Sequence, residues 1–115
     1  MITIYGIPNC DSCRKARKWL DENSITHEFH DIRVDGLDLK ALYRWASQVG
    51  WEKLLNTRSQ TWRNIAQSDR EGIDEGRALA LMYEQPTLIK RPVFESANIV
   101  LVGFSADEYR KNVSN

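Results

Sequence analysis

The 115-residue sequence has no excess of charge of either sign, because 16 Lys and Arg residues balance 16 Asp and Glu residues. A nucleic-acid-binding domain usually carries a clear basic excess, since phosphate neutralisation supplies most of its affinity. We therefore expect no direct nucleic-acid binding as the main activity. The hydrophobic fraction of 42% and the charged fraction of 28% are typical of a soluble globular domain.

The sequence also lacks long apolar runs. Its first residues, Met1 to Tyr5, contain neither the basic segment nor the apolar segment of a secretory signal. No apolar run approaches the roughly 20 residues that a membrane-spanning helix needs. These absences predict a cytoplasmic protein without membrane contact. There is no internal repeat, low-complexity segment or linker, so we expect residues 1–115 to form a single monomeric domain.

Cysteine is scarce, and its two occurrences lie close together as Cys10 and Cys13. Structural disulfides are rare in the cytoplasm, so a C-x-x-C pair there indicates redox or metal chemistry rather than a structural cross-link. Residues 2–5 predict a first strand, and the pattern of residues 11–22 predicts an amphipathic helix. The pair is therefore expected at the joint between a strand and a helix.

This position favours a reactive Cys10. The first N–H groups of a helix lack partners and carry partial positive charge, so the pKa of a thiol there falls below the roughly 8.5 of free cysteine. Arg14 and Lys15 should lower the pKa further, whereas Asp11 should raise it. Cys13, one turn into the helix, should resolve a mixed disulfide or sulfenic acid at Cys10. Two cysteines that merely pack are the alternative.

A zinc site is a further alternative. Cys10, Cys13, His27 and His30 are spaced C-x2-C, 13 residues, H-x2-H, which is close to a zinc-finger pattern. Zinc fingers place their cysteines on a hairpin and their histidines on a helix. Here the cysteines begin a helix, and the histidines lie on a predicted strand over 27–32, where a spacing of three sends them to opposite faces. The geometry disfavours zinc, and we expect no bound metal or cofactor.

The rest of the chain predicts helices, then a hairpin and a last helix. The predicted elements are a helix from Asp38 to Gly50, short helices over 51–65 around a loop at 56–59, a helix over 74–84, and strands over 92–94 and 99–102 joined by residues 95–98. Ser105 and Glu108 form a capping-box pattern that should begin the last helix, with Phe104 and Tyr109 as a hydrophobic staple.

The segment from Tyr5 to Leu20 reads YGIPNCDSCRKARKWL. It resembles the first motif of the arsenate reductase/Spx family of glutaredoxin-like ArsC proteins. The other similar segments are LNTRS at 55–59, LIKRPV at 88–93 and VGF at 102–104. Two more segments, HDIRVDGLD at 30–38 and TWR at 61–63, are most similar to the YffB branch. The resemblance covers nearly the whole chain.

The resemblance implies an α/β thioredoxin-like fold of the ArsC type, with a helical insert between a βαβ half and a ββα half. It implies that Cys10 is the nucleophile, that Arg58 and Arg91 bind an anion, and that Pro92 is cis beside the active site. We also expect Arg14 to contribute to substrate or anion binding. Guanidinium groups suit this task because they bind an oxyanion or a glutathione carboxylate in bidentate fashion.

The chain departs from the arsenate reductases in one segment. The reductases carry a third arginine in the segment that corresponds to Leu101–Ser105, and this chain has none there. It has instead a second cysteine, Cys13, which is a feature of redox-switch members such as Spx. We therefore expect poor arsenate reduction.

Three functions remain open on the sequence. The first is a glutathione- or glutaredoxin-linked thiol–disulfide oxidoreductase with glutathione as co-substrate. The second is an Spx-type regulator in which the cysteine pair controls binding to RNA polymerase. The third, the structural zinc module, is disfavoured by the geometry above. Zero net charge fits the first two equally well.

Overall fold

The computed structural model describes residues 1–97 and 99–113, which form four strands and seven α-helices. In chain order these are β1 (Ile2–Gly6), α1 (Asp11–Glu22), β2 (His27–Asp31), α2 (Leu39–Val49), α3 (Trp51–Leu54), α4 (Gln60–Arg63), α5 (Gln67–Arg70), α6 (Glu75–Glu84), β3 (Val93–Ser96), β4 (Ile99–Val102) and α7 (Ala106–Asn112). A turn of 3-10 helix covers Pro86–Leu88. Within these described ranges, no helix is long and apolar enough to cross a membrane.

The chain divides into two compact units. Met1–Gly36 and Arg91–Asn115 form the first, which we call the sheet unit, and Leu37–Lys90 form the second, the helical unit. All four strands belong to the sheet unit together with α1 and α7, and helices α2 to α6 make up the helical unit. The helical insert implied by the family resemblance is therefore a compact body of its own.

The sheet unit contains one four-stranded sheet with the strand order β2-β1-β3-β4. Strand β1 pairs in parallel with β2, as the intervening helix α1 requires, and antiparallel with β3. Strands β3 and β4 form an antiparallel hairpin that leads into α7. The expected βαβ and ββα halves are thus confirmed.

One face of the sheet carries the core of this unit. Ile4 of β1 and Phe94 of β3 are direct cross-strand partners, and both are fully buried. Ala16 and Leu20 from α1 and Tyr109 from α7 pack in the same cluster. Both helices therefore cover the face that includes Ile4, and the alternation along β1 places Gly6 on that face as well.

Helix α7 begins as its sequence predicts. The Ser105 Oγ accepts the backbone N–H of Glu108 at 3.3 Å, which caps the first turn. The Phe104 ring meets the Tyr109 ring edge to face, with 5.0 Å between their centroids. The capping residue and the predicted staple contact are both confirmed.

The helical unit is held by local caps around an apolar interior. Asp38, Ser59 and Asp74 each accept a backbone N–H of the helix that follows. The fully buried side chains of this unit include Trp45, Leu42, Leu54, Leu79, Met82, Leu88 and Ile89. Helices α2 and α6 end close to the predicted positions, at Gly50 and before Pro86.

The structure corrects the predicted hairpin. Residues 95–98 were expected to connect the strands, but Glu95 and Ser96 continue β3 because they pair with Val100 and Ile99 of β4. The connection is shorter and includes Ala97, whose φ of 48° lies in the left-handed region. Residue 98 lies outside the described residues. The short helix α5 is a further element that the sequence pattern did not predict.

Candidate active site

Cys10 lies directly before α1, in the turn that follows β1. Its backbone N–H donates to the carbonyl of Ile7 at 3.2 Å, and its own carbonyl accepts the N–H of Arg14 at 2.9 Å. These two bonds hold the residue at the start of the helix with extended backbone angles, as the sequence predicted. The residue is partly exposed.

The surroundings of Cys10 favour its thiolate form. Burial raises the pKa of the thiol, but hydrogen bonding from the backbone and the thiol of Cys13 lowers it, as do a hydrogen bond and the charge of Arg91. The balance places the pKa of Cys10 below its ordinary value. Because the thiolate is the nucleophilic form of cysteine, this shift agrees with the predicted role of Cys10 as the nucleophile, which stays a prediction.

Cys13 has the opposite character. Its side chain is fully buried, and burial is the largest cause that raises its pKa to about 12. The hydrogen bond to Cys10 and the charge of the Cys10 thiolate raise the pKa further, against lowering contributions from the Ile7 backbone and Arg91. Cys13 is therefore a protonated thiol that donates to the Cys10 sulfur.

Arg91 supplies the positive charge beside the cysteines. The sequence predicts this effect for Arg14 and Lys15, because both follow Cys10 closely. In the structure the Arg14 guanidinium pairs instead with the Asp11 carboxylate, and both side chains are exposed. Arg91 comes from the segment directly before β3 and reaches Cys10 through the tertiary fold.

Pro92 follows Arg91 and is buried. The peptide bond between the two residues is cis, as the family resemblance implied. The Pro92 carbonyl accepts the backbone N–H of Gly103 at 2.9 Å, which ties this segment to the residue after β4. Arg91 and Pro92 thus belong to the sheet unit, together with both cysteines.

Arg58 lies in the helical unit, in the loop between α3 and α4. The residue is exposed, and its backbone N–H donates to the Asn56 Oδ1 at 3.1 Å, so the side chain of Asn56 shapes the loop. Its contribution to anion binding, and that of Arg14, stays a prediction.

The histidines of the zinc alternative are engaged elsewhere. The His27 Nδ1 lies 3.0 Å from the carbonyl oxygen of Ile25, and the His30 Nε2 lies 2.6 Å from that of Gly36. Among residues 1–97 and 99–113, no group of three or more His, Cys, Asp or Glu side chains is arranged to hold a metal ion.

One residue beside the cysteines is not predicted from the sequence. The strand predicted over residues 2–5 continues through Gly6, which is the last residue of β1 and lies against the Cys13 side chain. The signal that could have predicted this contact was a glycine at the end of the strand that precedes the C-x-x-C helix.

The model of the ArsC family matches residues 5–112. This chain belongs to the ArsC family. An uncharacterized protein of Haemophilus influenzae is 48% identical over 110 residues, which cover 96% of each chain. The global transcriptional regulator Spx of Streptococcus agalactiae is 33% identical over 112 residues, 96% of this chain and 81% of the regulator.

A solved structure confirms the family's fold for this chain. A YffB protein matches with a TM-score of 0.95 and 39% sequence identity, over 99% of this chain and 100% of its own. The chain therefore has the thioredoxin-like fold of the ArsC type, and its resemblance to the YffB branch is confirmed.

Proposed function

We propose that this ArsC-family protein is a thiol–disulfide oxidoreductase linked to glutathione or glutaredoxin. The observation that carries the proposal is the contrast between the two cysteines of one pair. Cys10 is partly exposed with a lowered pKa, whereas Cys13 is buried, protonated and hydrogen-bonded to it. This division suits an attacking thiolate followed by a resolving thiol.

In the first step the Cys10 thiolate attacks one sulfur of a substrate disulfide. The substrate's S–S bond breaks, a mixed disulfide forms on Cys10, and the second substrate sulfur leaves as a thiolate. Cys13 then loses its proton and attacks the Cys10 sulfur, which releases the remaining substrate thiolate. The substrate has gained two electrons, and the protein holds a Cys10–Cys13 disulfide. Two molecules of glutathione return these electrons and become one molecule of oxidised glutathione.

The pKa of Cys13 supports this order of events. Part of its elevation comes from the negative charge of Cys10 and from the hydrogen bond between the two side chains. Both contributions disappear when Cys10 enters the mixed disulfide, while the lowering effect of Arg91 remains. Cys13 therefore becomes a stronger acid after the first attack, when its thiolate is needed.

Arginine side chains supply the selectivity for an anionic thiol. The Arg91 guanidinium lies at Cys10 and can bind a glutathione carboxylate as well as stabilise the thiolate. Arg58 and Arg14 are proposed as further contacts on the basis of the family resemblance. We propose that the protein acts in the cytoplasm, where glutathione is the abundant thiol.

Mass spectrometry of single-cysteine variants tests the proposal. After incubation with oxidised glutathione, Cys13→Ser should carry one glutathione on Cys10, and Cys10→Ser should carry none because its remaining thiol is buried. The wild-type protein should pass through the adduct to a form lighter by two hydrogens, without dimers. An adduct on Cys13 alone would reverse the roles, and absence of adducts from all three proteins would refute a glutathione-linked activity.

An Spx-type regulator is the second candidate, and the 33% identity to the Spx regulator over 96% of the chain favours it. In this case the oxidation of Cys10 and Cys13 would control binding to RNA polymerase. Capture of RNA polymerase by the immobilised oxidised protein, and loss of capture on reduction, would support regulation. Turnover of disulfides with glutathione without capture would support the enzyme.

A further inference from the structure

Gly6 lies directly against the sulfur of Cys13. A Cβ atom built on Gly6 would lie well inside 3.0 Å of the Cys13 Sγ, a separation that real Cβ atoms essentially never show. The next neighbours, the Cys13 Cβ at 3.4 Å and the Phe29 Cε1 at 3.6 Å, are at ordinary van der Waals distances. Among the residues that the structure describes, the sulfur of Cys13 is therefore the one serious obstacle to a side chain at this position.

Neither partner in this contact is free to move away. Gly6 pairs with Asp31 of β2, and its carbonyl accepts the Ile32 N–H at 3.0 Å. Cys13 lies in the first turn of α1 and is fully buried, and its sulfur interacts with the Ile7 backbone. The sheet on one side and the helix on the other hold the contact in place.

We propose that Gly6 is the positioning residue of the cysteine pair: the absence of its side chain creates the space in which the Cys13 sulfur lies, within hydrogen-bonding reach of Cys10. The backbone of Gly6 lies outside the left-handed region, so its conformation does not demand glycine. Space for the sulfur is the remaining reason for glycine here. The inference rests on the proposed two-thiol chemistry.

The first test is the variant Gly6→Ala, oxidised with diamide. Diamide takes two electrons and two protons from the dithiol, so formation of the Cys10–Cys13 disulfide is followed without glutathione. A displaced Cys13 sulfur should slow this step about 10- to 100-fold, since a shift of about 1 Å has that effect on reactions between positioned groups. The midpoint of the pH profile for Cys10 alkylation should also rise, because the thiolate loses its donor. A wild-type rate together with an unchanged midpoint overturns the proposal.

Two further variants separate positioning from general damage. Gly76→Ala is the matched control, because its added Cβ meets Asp74 Oδ1 at 3.8 Å in helix α6 and should leave the oxidation rate and the pH midpoint unchanged. In the Cys13→Ala background the sulfur is absent, so Gly6→Ala should lower the urea midpoint of unfolding much less than it does with Cys13 present. Equal losses in both backgrounds overturn the proposal.

If Gly6→Ala alone does not fold, the double variant still tests the proposal. The double variant Gly6→Ala/Cys13→Ala should then fold, because the obstacle has been removed, and its failure to fold overturns the proposal. Failure of the wild-type protein to react with oxidised glutathione would refute the proposed function. The diamide and unfolding measurements use no glutathione, so they would still test the positioning role of Gly6.

Discussion

The helix caps of the helical unit and the cysteine site of the sheet unit differ in how far apart along the chain their interacting residues lie. In the helical unit, Asp38 and Asp74 accept N–H groups two or three residues further on, so each contact is local. In the sheet unit, Cys10 before α1 interacts with Arg91 before β3. Two segments at opposite ends of the sequence are brought together there by the pairing of β1 with β3.

This difference teaches where the chemistry of the chain depends on tertiary structure. A local cap survives as long as its own helix forms, and it contributes about 1 kcal/mol to stability. A thiolate stabilised by an arginine from a distant segment requires the whole sheet. Changes to the Cys10 site should therefore alter reactivity, and the following measurements test the groups that form this site.

The largest expected effect concerns arsenate, which needs more fixed positive charge than a disulfide. Residues 101–105 supply no arginine, and Arg110 of α7 is exposed and paired with Asp107 at 3.1 Å. Loss of one charged contact to a transition state typically costs about 10²–10³ in rate. Arsenate-dependent NADPH consumption, with glutathione, glutaredoxin and glutathione reductase in excess, should be lower by that factor than for an authentic family reductase. Comparable turnover would show that the third arginine is dispensable.

The next effect concerns the two arginines that the family resemblance assigns to anion binding. Arg91→Ala and Arg58→Ala should each weaken glutathione binding by about 1.5–3 kcal/mol, the usual contribution of a hydrogen bond to a charged group. Titration calorimetry measures this, with Arg110→Ala as the control that should not change the affinity. If Arg91→Ala weakens binding and Arg58→Ala does not, Arg58 is an ordinary surface charge.

A smaller effect concerns the donors around the Cys10 sulfur. The pH profile of iodoacetamide labelling should show a midpoint below that of free cysteine for Cys13→Ser, because the serine hydroxyl still donates. The midpoint should lie higher for Cys13→Ala, which lacks this donor, and higher for Arg91→Ala, which lacks the charge. A midpoint at or above that of free cysteine in Cys13→Ser would contradict a thiolate-stabilising site.

The last effect is a loss of stability at alkaline pH. The pKa of Cys13 is about 12 in the folded reduced protein and roughly 8.5 in an unfolded chain. Between these values the unfolded thiol loses its proton and the folded one keeps it, so the free energy of unfolding falls as the pH rises. The lowered pKa of Cys10 makes the free energy of unfolding rise with pH. This rise is complete once the pH exceeds the pKa of Cys10 in the unfolded chain, so it does not affect the slope at higher pH.

Urea unfolding of the reduced protein between pH 9 and pH 11 measures this loss. The urea midpoint should fall more steeply with pH for the wild-type protein than for Cys13→Ala. Burial is the largest cause that raises the pKa of Tyr109, and this part is common to both proteins. The part that comes from the charge of Cys13 is lost in Cys13→Ala, so it adds to the expected difference between the two slopes. Equal slopes would mean that Cys13 ionises as easily in the folded protein as in the unfolded chain.

Much of the local structure was predictable because it depends on residues close together in the sequence. The amphipathic pattern of residues 11–22 and the cap at Asp38 define helices through contacts within a turn or two. The position of Cys10 at a helix start follows from the same local pattern. The extension of β3 through Glu95 and Ser96 was missed because it depends on pairing with β4, which overrides local turn propensity.

The sequence by itself determined which residues could react: a C-x-x-C pair at a strand–helix joint, whose helix start favours a thiolate at Cys10. Tertiary structure decided how the two thiols differ. Burial against Gly6 keeps Cys13 protonated, and Arg91 rather than Arg14 provides the charge at Cys10. The physical reason is that desolvation and Coulomb interactions depend on distance in space, which the packing of β1, α1 and β3 sets.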